Sequence, residues 1–209
     1  MAERIKLKSM AKEQIKGNIP ILFLCMLLIV VISAGISYLV PILGTIVISF
    51  VTPALTLGMI SIYMGLAHGE KPKFEGLFSG MPVFIKAFLL QLVTGLFVFL
   101  WSLLLFVPGI IKGIAYMFAP YALAENHETG VMEALDISKK ITQGHKMELF
   151  ILSLSFFPWI LLVMVTFGIA AVYVIPYVQM TLVNAYYDLK NVSGVVVVDA
   201  PYEKQEGEN

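Results

Sequence analysis

Residues 19–67 read IPILFLCMLLIVVISAGISYLVPILGTIVISFVTPALTLGMISIYMGLA, 49 positions without one Asp, Glu, Lys, Arg or His. Two further stretches repeat the pattern: residues 87–124 carry only Lys112, and residues 149–187 carry no charge or imidazole at all. Each is about twice the ~20 apolar residues that cross a bilayer core. A stretch of that length enters lipid twice, so it has to turn round in between. The three blocks therefore read as three membrane hairpins joined by charged connectors.

Composition supports that class. The chain is 59% hydrophobic and 13% charged, with a mean hydropathy of +0.88, against roughly 25% charged in soluble domains. A soluble fold of 209 residues would lack the charge to cover its surface. The formal net charge is zero, so no basic field points to nucleic acid. Cys25 is the one cysteine and lies in an apolar run, which excludes an intrachain disulfide. The apolar run that starts at Ile19 is longer than a signal-peptide core and ends without a small-residue cleavage site, so it is expected to be a retained span.

Threading follows from the cations. Arg4, Lys6, Lys8, Lys12 and Lys16 precede the first block. Lys71, Lys73 and Lys86 follow it, Lys139, Lys140 and Lys146 follow the second, and Lys190 and Lys204 follow the third. Thirteen of fourteen fall on one side of a six-span arrangement, and the positive-inside rule makes that side cytoplasmic, with both termini there. The spans expected are 19–40, 43–67, 83–106, 109–126, 148–166 and 169–188. A cytoplasmic helix over 1–18 precedes them, and an acidic, disordered tail over 189–209 follows. The segment 109–126 is the shortest: twelve residues between Lys112 and Glu125 make about 18 Å of helix. It crosses only with Lys112 snorkelling to the outer interface, and is otherwise re-entrant.

Internal repetition fits three hairpins. Val40-Pro41 and Thr52-Pro53 match Val107-Pro108 and Ala119-Pro120 without a gap. Trp101, Gly109-Ile110, Tyr116 and Pro120-Tyr121 have looser counterparts in Trp159, Gly168-Ile169, Tyr173 and Pro176-Tyr177. A short amphipathic segment ending in glycine precedes each hairpin: Ile5–Gly17, Phe74–Gly80 and Val131–Gly144. In the third, Val131, Ala134, Leu135, Ser138 and Ile141 share a helical face. Glu133 and Asp136 sit near its start and Lys139 and Lys140 near its end, as the helix dipole favours.

The stretch Trp101-Ser-Leu-Leu-Leu-Phe-Val-Pro-Gly-Ile-Ile-Lys112, followed by Tyr116-Met-Phe-Ala-Pro-Tyr-Ala-Leu-Ala-Glu125, resembles a family of bacterial integral membrane proteins, domain of unknown function 975. Glu133–Lys140, Gly144–Phe150, Pro176-Tyr177 with Asn184 and Tyr186, and Lys12–Asn18 extend the resemblance over most of the chain. It is weakest in the first hairpin and absent after Leu189. It implies a multi-span bacterial membrane protein and supplies no reaction, substrate or catalytic residue.

The residues themselves argue against catalysis. His68, His127 and His145 lie on three different connectors. Glu125-Asn126-His127-Glu128 is the one compact group of ligand-type residues, but neighbours in a short loop diverge and no cysteine or second histidine joins them. No nucleophile elbow, zinc-helix or Walker motif is present. Neither a metal nor a cofactor is expected. The blocks also lack the titratable groups that ion-coupled carriers use.

What remains is a candidate polar pocket. Pro53, Pro120 and Pro176 each withhold an N–H, freeing the carbonyls of Ser49, Tyr116 and Val172. If the three kinks face one another, those carbonyls join Thr52, Tyr121, Gln179 and Asn184 near mid-membrane. Lys112 is the candidate outer-interface cation, and Gln91 reads as an interhelical hydrogen-bonding residue. The tail carries a valine run, Val195–Val198, suited to strand addition on a partner.

The expectation is an all-α protein of the bacterial inner membrane: six transmembrane helices in three hairpin repeats, each hairpin preceded by a short interfacial helix. The expected role is non-enzymatic, an accessory protein engaging membrane lipids or a protein partner at the cytoplasmic face. The alternative is a small permease or substrate-binding subunit powered by a separate ATPase.

Overall fold

The structure, a computed structural model, describes residues 4–39, 41–104 and 106–195. Among them are ten α-helices, two short 3-10 helices and no strand. The chain opens with α1 (Arg4–Ile15), followed by the pair α2 (Ile19–Leu39) and α3 (Pro41–Ala67). The 3-10 turns Phe74–Phe78 and Met81–Val83 lead into α4 (Phe84–Leu104). Next come α5 (Phe106–Tyr116), α6 (Ala119–Glu125), α7 (Val131–Thr142), α8 (Lys146–Leu154), α9 (Phe157–Val165) and α10 (Ala171–Ser193).

Five stretches are long and apolar enough to cross a membrane: Ile19–Tyr38, Ile46–Ala67, Phe74–Leu103, Val107–Glu125 and Lys146–Val165. The expected sixth span corresponds to α10, whose 23 residues give about 34 Å of helix. Gln179, Asn184, Asp188 and Lys190 make α10 more polar than the other five. It also runs to Ser193, with Leu189 fully buried, so residues 189–193 are helix where a disordered tail was expected. The valine run beyond Val195 and the acidic end lie outside the described residues.

Helix ends follow local chemistry. Gly17 takes φ +86° and ends α1 before α2 begins, a backbone state that costs a side-chain-bearing residue strain. Gly144, the glycine that ends the third amphipathic segment, takes φ +83° after α7. On α7, Glu133 Oε2 accepts the Gly130 N–H at 3.2 Å, which completes one of the unpaired donors of the first turn.

Besides 74–103, which opens on the two 3-10 turns, two of the five long stretches are broken. The stretch 107–125 parts between α5 and α6, and 146–165 parts between α8 and α9. Pro120 and Pro158 sit in the first turns of α6 and α9, where a missing N–H costs nothing. The first break is stitched by Ser138 on α7. Its fully buried Oγ donates to the Ala115 carbonyl at 2.8 Å and accepts the Phe118 N–H at 3.1 Å. Ser138→Val fills the same space yet strands both backbone groups. It should cost about 2–6 kcal/mol, since each buried unpaired group costs about 1–3, and thermal unfolding of the detergent-solubilised protein measures it. Ser138→Thr, which retains the hydroxyl, should cost less.

The core is confined to one end of the bundle, here termed the base. Every buried hydrophobic side chain precedes residue 26 or lies within 54–90, 115–156 or 174–189. Among the described side chains, none lies in 26–53, 91–114 or 157–173, here termed the three arms. Central to the base is α3, which packs on α2, α4, α6, α10 and the first 3-10 helix. An aromatic run, Phe118, Tyr121, Tyr186 and Tyr187, extends to the His68 ring. Across the base lies α1, its Leu7, Ala11 and Ile15 buried at every fourth position and its Gln14 Oε1 accepting the Asn184 Nδ2 at 2.8 Å. The Phe74–Gly80 segment, expected as an interfacial helix, is instead a wedge whose Leu77 is fully buried on α3.

Candidate functional site: a cleft between two long helices

The arm end of α3 parts from α4 along a cleft. Its outer portion holds about 540 Å³ between Ser49 on α3 and Phe88, Gln91, Leu92, Gly95, Leu96 and Phe99 on α4. An inner portion of about 360 Å³ continues from Gln91 and Gly95 to Thr94, Thr56, Pro53 and Pro120. Gly95 opens the wall: a Cβ there would meet no atom within 4 Å. Spacing of three and four residues puts Phe88, Gln91, Leu92, Gly95, Leu96 and Phe99 on one face of α4.

Polar groups gather toward the inner portion. The Gln91 side chain is exposed into the cleft, in a helix otherwise apolar around it. Among the described residues, the buried Thr94 hydroxyl has no hydrogen-bond partner, although threonines in helices ordinarily bond the carbonyl one turn back. By contrast, Thr56 Oγ1 donates to the Thr52 carbonyl at 2.9 Å and Ser49 Oγ to the Ile46 carbonyl at 2.6 Å. Pro53 has no N–H to offer the Ser49 carbonyl. The Gln91 amide thus faces an otherwise apolar cleft, with the Thr94 hydroxyl buried in the wall of its inner portion.

The expected pocket residues divide. Pro53 and Pro120 meet on the inner portion of the cleft, and Thr52 lies beside them on α3. Tyr116 is buried against Phe97, with the Lys139 amine over its ring. On the other side of the base, Tyr121 donates its hydroxyl to Gln179 Oε1 at 3.0 Å. Asn184 is engaged with Gln14, and Pro176 is buried within an unbroken α10. Lys112 holds its amine 4.7 Å from the Trp101 ring centroid, a cation–π contact between α4 and α5.

The cluster 125–128 is structural in its contacts. Glu125, 7% exposed, accepts the Tyr186 hydroxyl at 2.6 Å and the Lys190 amine at 2.8 Å. Asn126 Oδ1 caps the Glu128 N–H, while the carbonyls of His127 and Glu128 accept from Lys86. Burial and then the Lys86 charge hold the His127 imidazole below its ordinary pKa, with Glu128 opposing them.

Gln91 and Thr94 are the site residues that sequence reasoning did not assemble. The available signal was an amide and a glycine one turn apart, on a face of α4 where every other residue is large and apolar.

No curated protein and no solved structure matches the chain. A family match covers residues 1–112 and 103–193, the whole of the helical chain described above, and the chain belongs to that family, described as Protein of unknown function (DUF975).

Proposed function

We propose that this is a non-enzymatic, six-span integral membrane protein that holds a glycerolipid of the cytoplasmic leaflet in the α3–α4 cleft. The observation that carries the reading is the cleft's own polarity: apolar along the arm, with unpaired hydrogen-bonding groups toward the base. The base is read as the cytoplasmic end because the cations cluster there. Lys86, anchored on the carbonyls of the α6–α7 loop, marks that level. Gln91 is five residues further along α4, roughly 7.5 Å deeper, at the depth of a lipid's glycerol esters rather than its charged head. Ester carbonyls accept from the Gln91 amide and Thr94 hydroxyl, and the acyl chain follows Leu92, Leu96 and Phe99 outward.

A second membrane helix is a less suitable occupant, since its backbone bonds are already internal and it would need a matching polar side chain at one depth. The arms, without buried hydrophobic side chains among the described residues, are suited to contact with lipid along their length.

Native mass spectrometry of the intact protein released from gentle detergent tests this. The wild type should retain a phospholipid, and Gln91→Leu/Thr94→Val should lower its occupancy roughly tenfold, the effect of losing one or two net hydrogen bonds of about 1 kcal/mol each. Equal occupancy in both proteins overturns the reading. Co-purification of a stoichiometric ATPase would favour the permease-subunit alternative.

A further inference from the structure

Arg4, Lys8 and Lys12 recur at every fourth position of α1, a cationic stripe about 12 Å long on one side of the helix. The adjacent stripe, Leu7, Ala11 and Ile15, is buried and pins α1 to α10, so the cations are held in place rather than waving in solvent. Among the described residues, no carboxylate forms an ion pair with any of the three. Their contacts are neutral. Lys8 donates to the Ser155 Oγ at 2.6 Å and lies 4.8 Å from the Phe156 ring centroid, at the break between α8 and α9. Lys12 lies 5.8 Å from the Tyr177 ring centroid. Burial pushes the Lys8 pKa down, and the nearby charges of Arg4 and Lys12 add to it.

The surroundings name the counter-ion's class. Ile5, Leu154 and Phe157, flanking the stripe and the break, are 79%, 58% and 55% exposed. Cations and an exposed apolar rim side by side match a phospholipid, which supplies a phosphate for the lysines and acyl chains for the rim. We infer that α1 and the α8–α9 break form a binding site for the phosphate of an anionic phospholipid of the cytoplasmic leaflet. It rests on the membrane reading above but not on occupancy of the α3–α4 cleft, which is built from other helices.

The test is the rise in unfolding temperature of the full-length detergent-solubilised protein on adding phosphatidylglycerol, phosphatidylcholine or glycerol phosphate. Phosphatidylglycerol should stabilise the wild type, and Lys8→Gln/Lys12→Gln should lose at least half of that shift. Lys12→Gln alone, at an exposed position, should lose part of it, Lys8→Arg/Lys12→Arg should retain it, and Lys139→Gln/Lys140→Gln should leave it intact. An equal shift in wild type and Lys8→Gln/Lys12→Gln overturns the inference. So does an equal shift with phosphatidylcholine, and a full shift with glycerol phosphate alone overturns the lipid as the source. Loss of the shift in Gln91→Leu/Thr94→Val but not in the lysine variants would assign the effect to the cleft instead.

Discussion

Glu125→Leu should lower the unfolding temperature of the solubilised protein by on the order of 10 °C. Glu125 closes α6 inside the base, where its carboxylate serves both Tyr186 and Lys190. Removing it takes the carboxylate from a Lys190 side chain that is itself only 16% exposed. Breaking a buried pair from one side costs about 3–5 kcal/mol, because the remaining charge keeps its desolvation penalty. At roughly 2–4 °C per kcal/mol for a chain of this size, the expected shift follows. The pair need not be worth that much in itself. Glu125→Leu/Lys190→Met removes both charges and should recover more than half of the loss, whereas Tyr186→Phe should cost about 1 kcal/mol. A single-variant cost below 1 kcal/mol would show that the pair is not enclosed as described.

Gly58→Ala should destabilise by about 3 kcal/mol, at the upper end for overpacking. Its sign is the informative part. Within a helix, alanine is ordinarily more stable than glycine by about 1 kcal/mol. At Gly58, however, a Cβ would overlap the carbonyl of Leu77, which is backbone and has no rotamer to escape into. The 3-10 wedge after α3 packs that closely only because residue 58 lacks a side chain. Gly113, on α5, is the control: nothing lies within 4 Å of a Cβ there, and Gly113→Ala should be neutral or stabilising. Thermal unfolding of the two variants side by side gives the comparison, and equal effects would contradict the wedge.

Charge and hydropathy made the long helices legible, because an uncharged block has few ways to satisfy its backbone other than helix. The same blocks concealed their breaks. Pro120 reads as a mid-helix kink, and Pro158 did not stand out at all, yet each begins a new helix. A proline in a first turn and a proline in an interior look identical until the preceding backbone is known, and here Ser138, from a different helix, decides the matter. The candidate pocket divided for a related reason. Equal depth along three hairpins says nothing about which faces meet, so Pro53 and Pro120 converge while Pro176, Gln179 and Asn184 pack elsewhere. The α1 helix was readable as basic and amphipathic. Its seat on α10, marked by the Gln14–Asn184 hydrogen bond, joins residues far apart in the chain.

The central claim, a lipid in the α3–α4 cleft, is tested most directly by photo-crosslinking from within it. A benzophenone-bearing residue introduced at Leu96 should, on irradiation in native membranes, add the mass of a single phospholipid to the protein. The same group introduced at Phe167, which is 98% exposed at the tip of the third arm, should give no defined lipid adduct. A protein adduct from Leu96, or the same unselective labelling at both positions, would contradict the account.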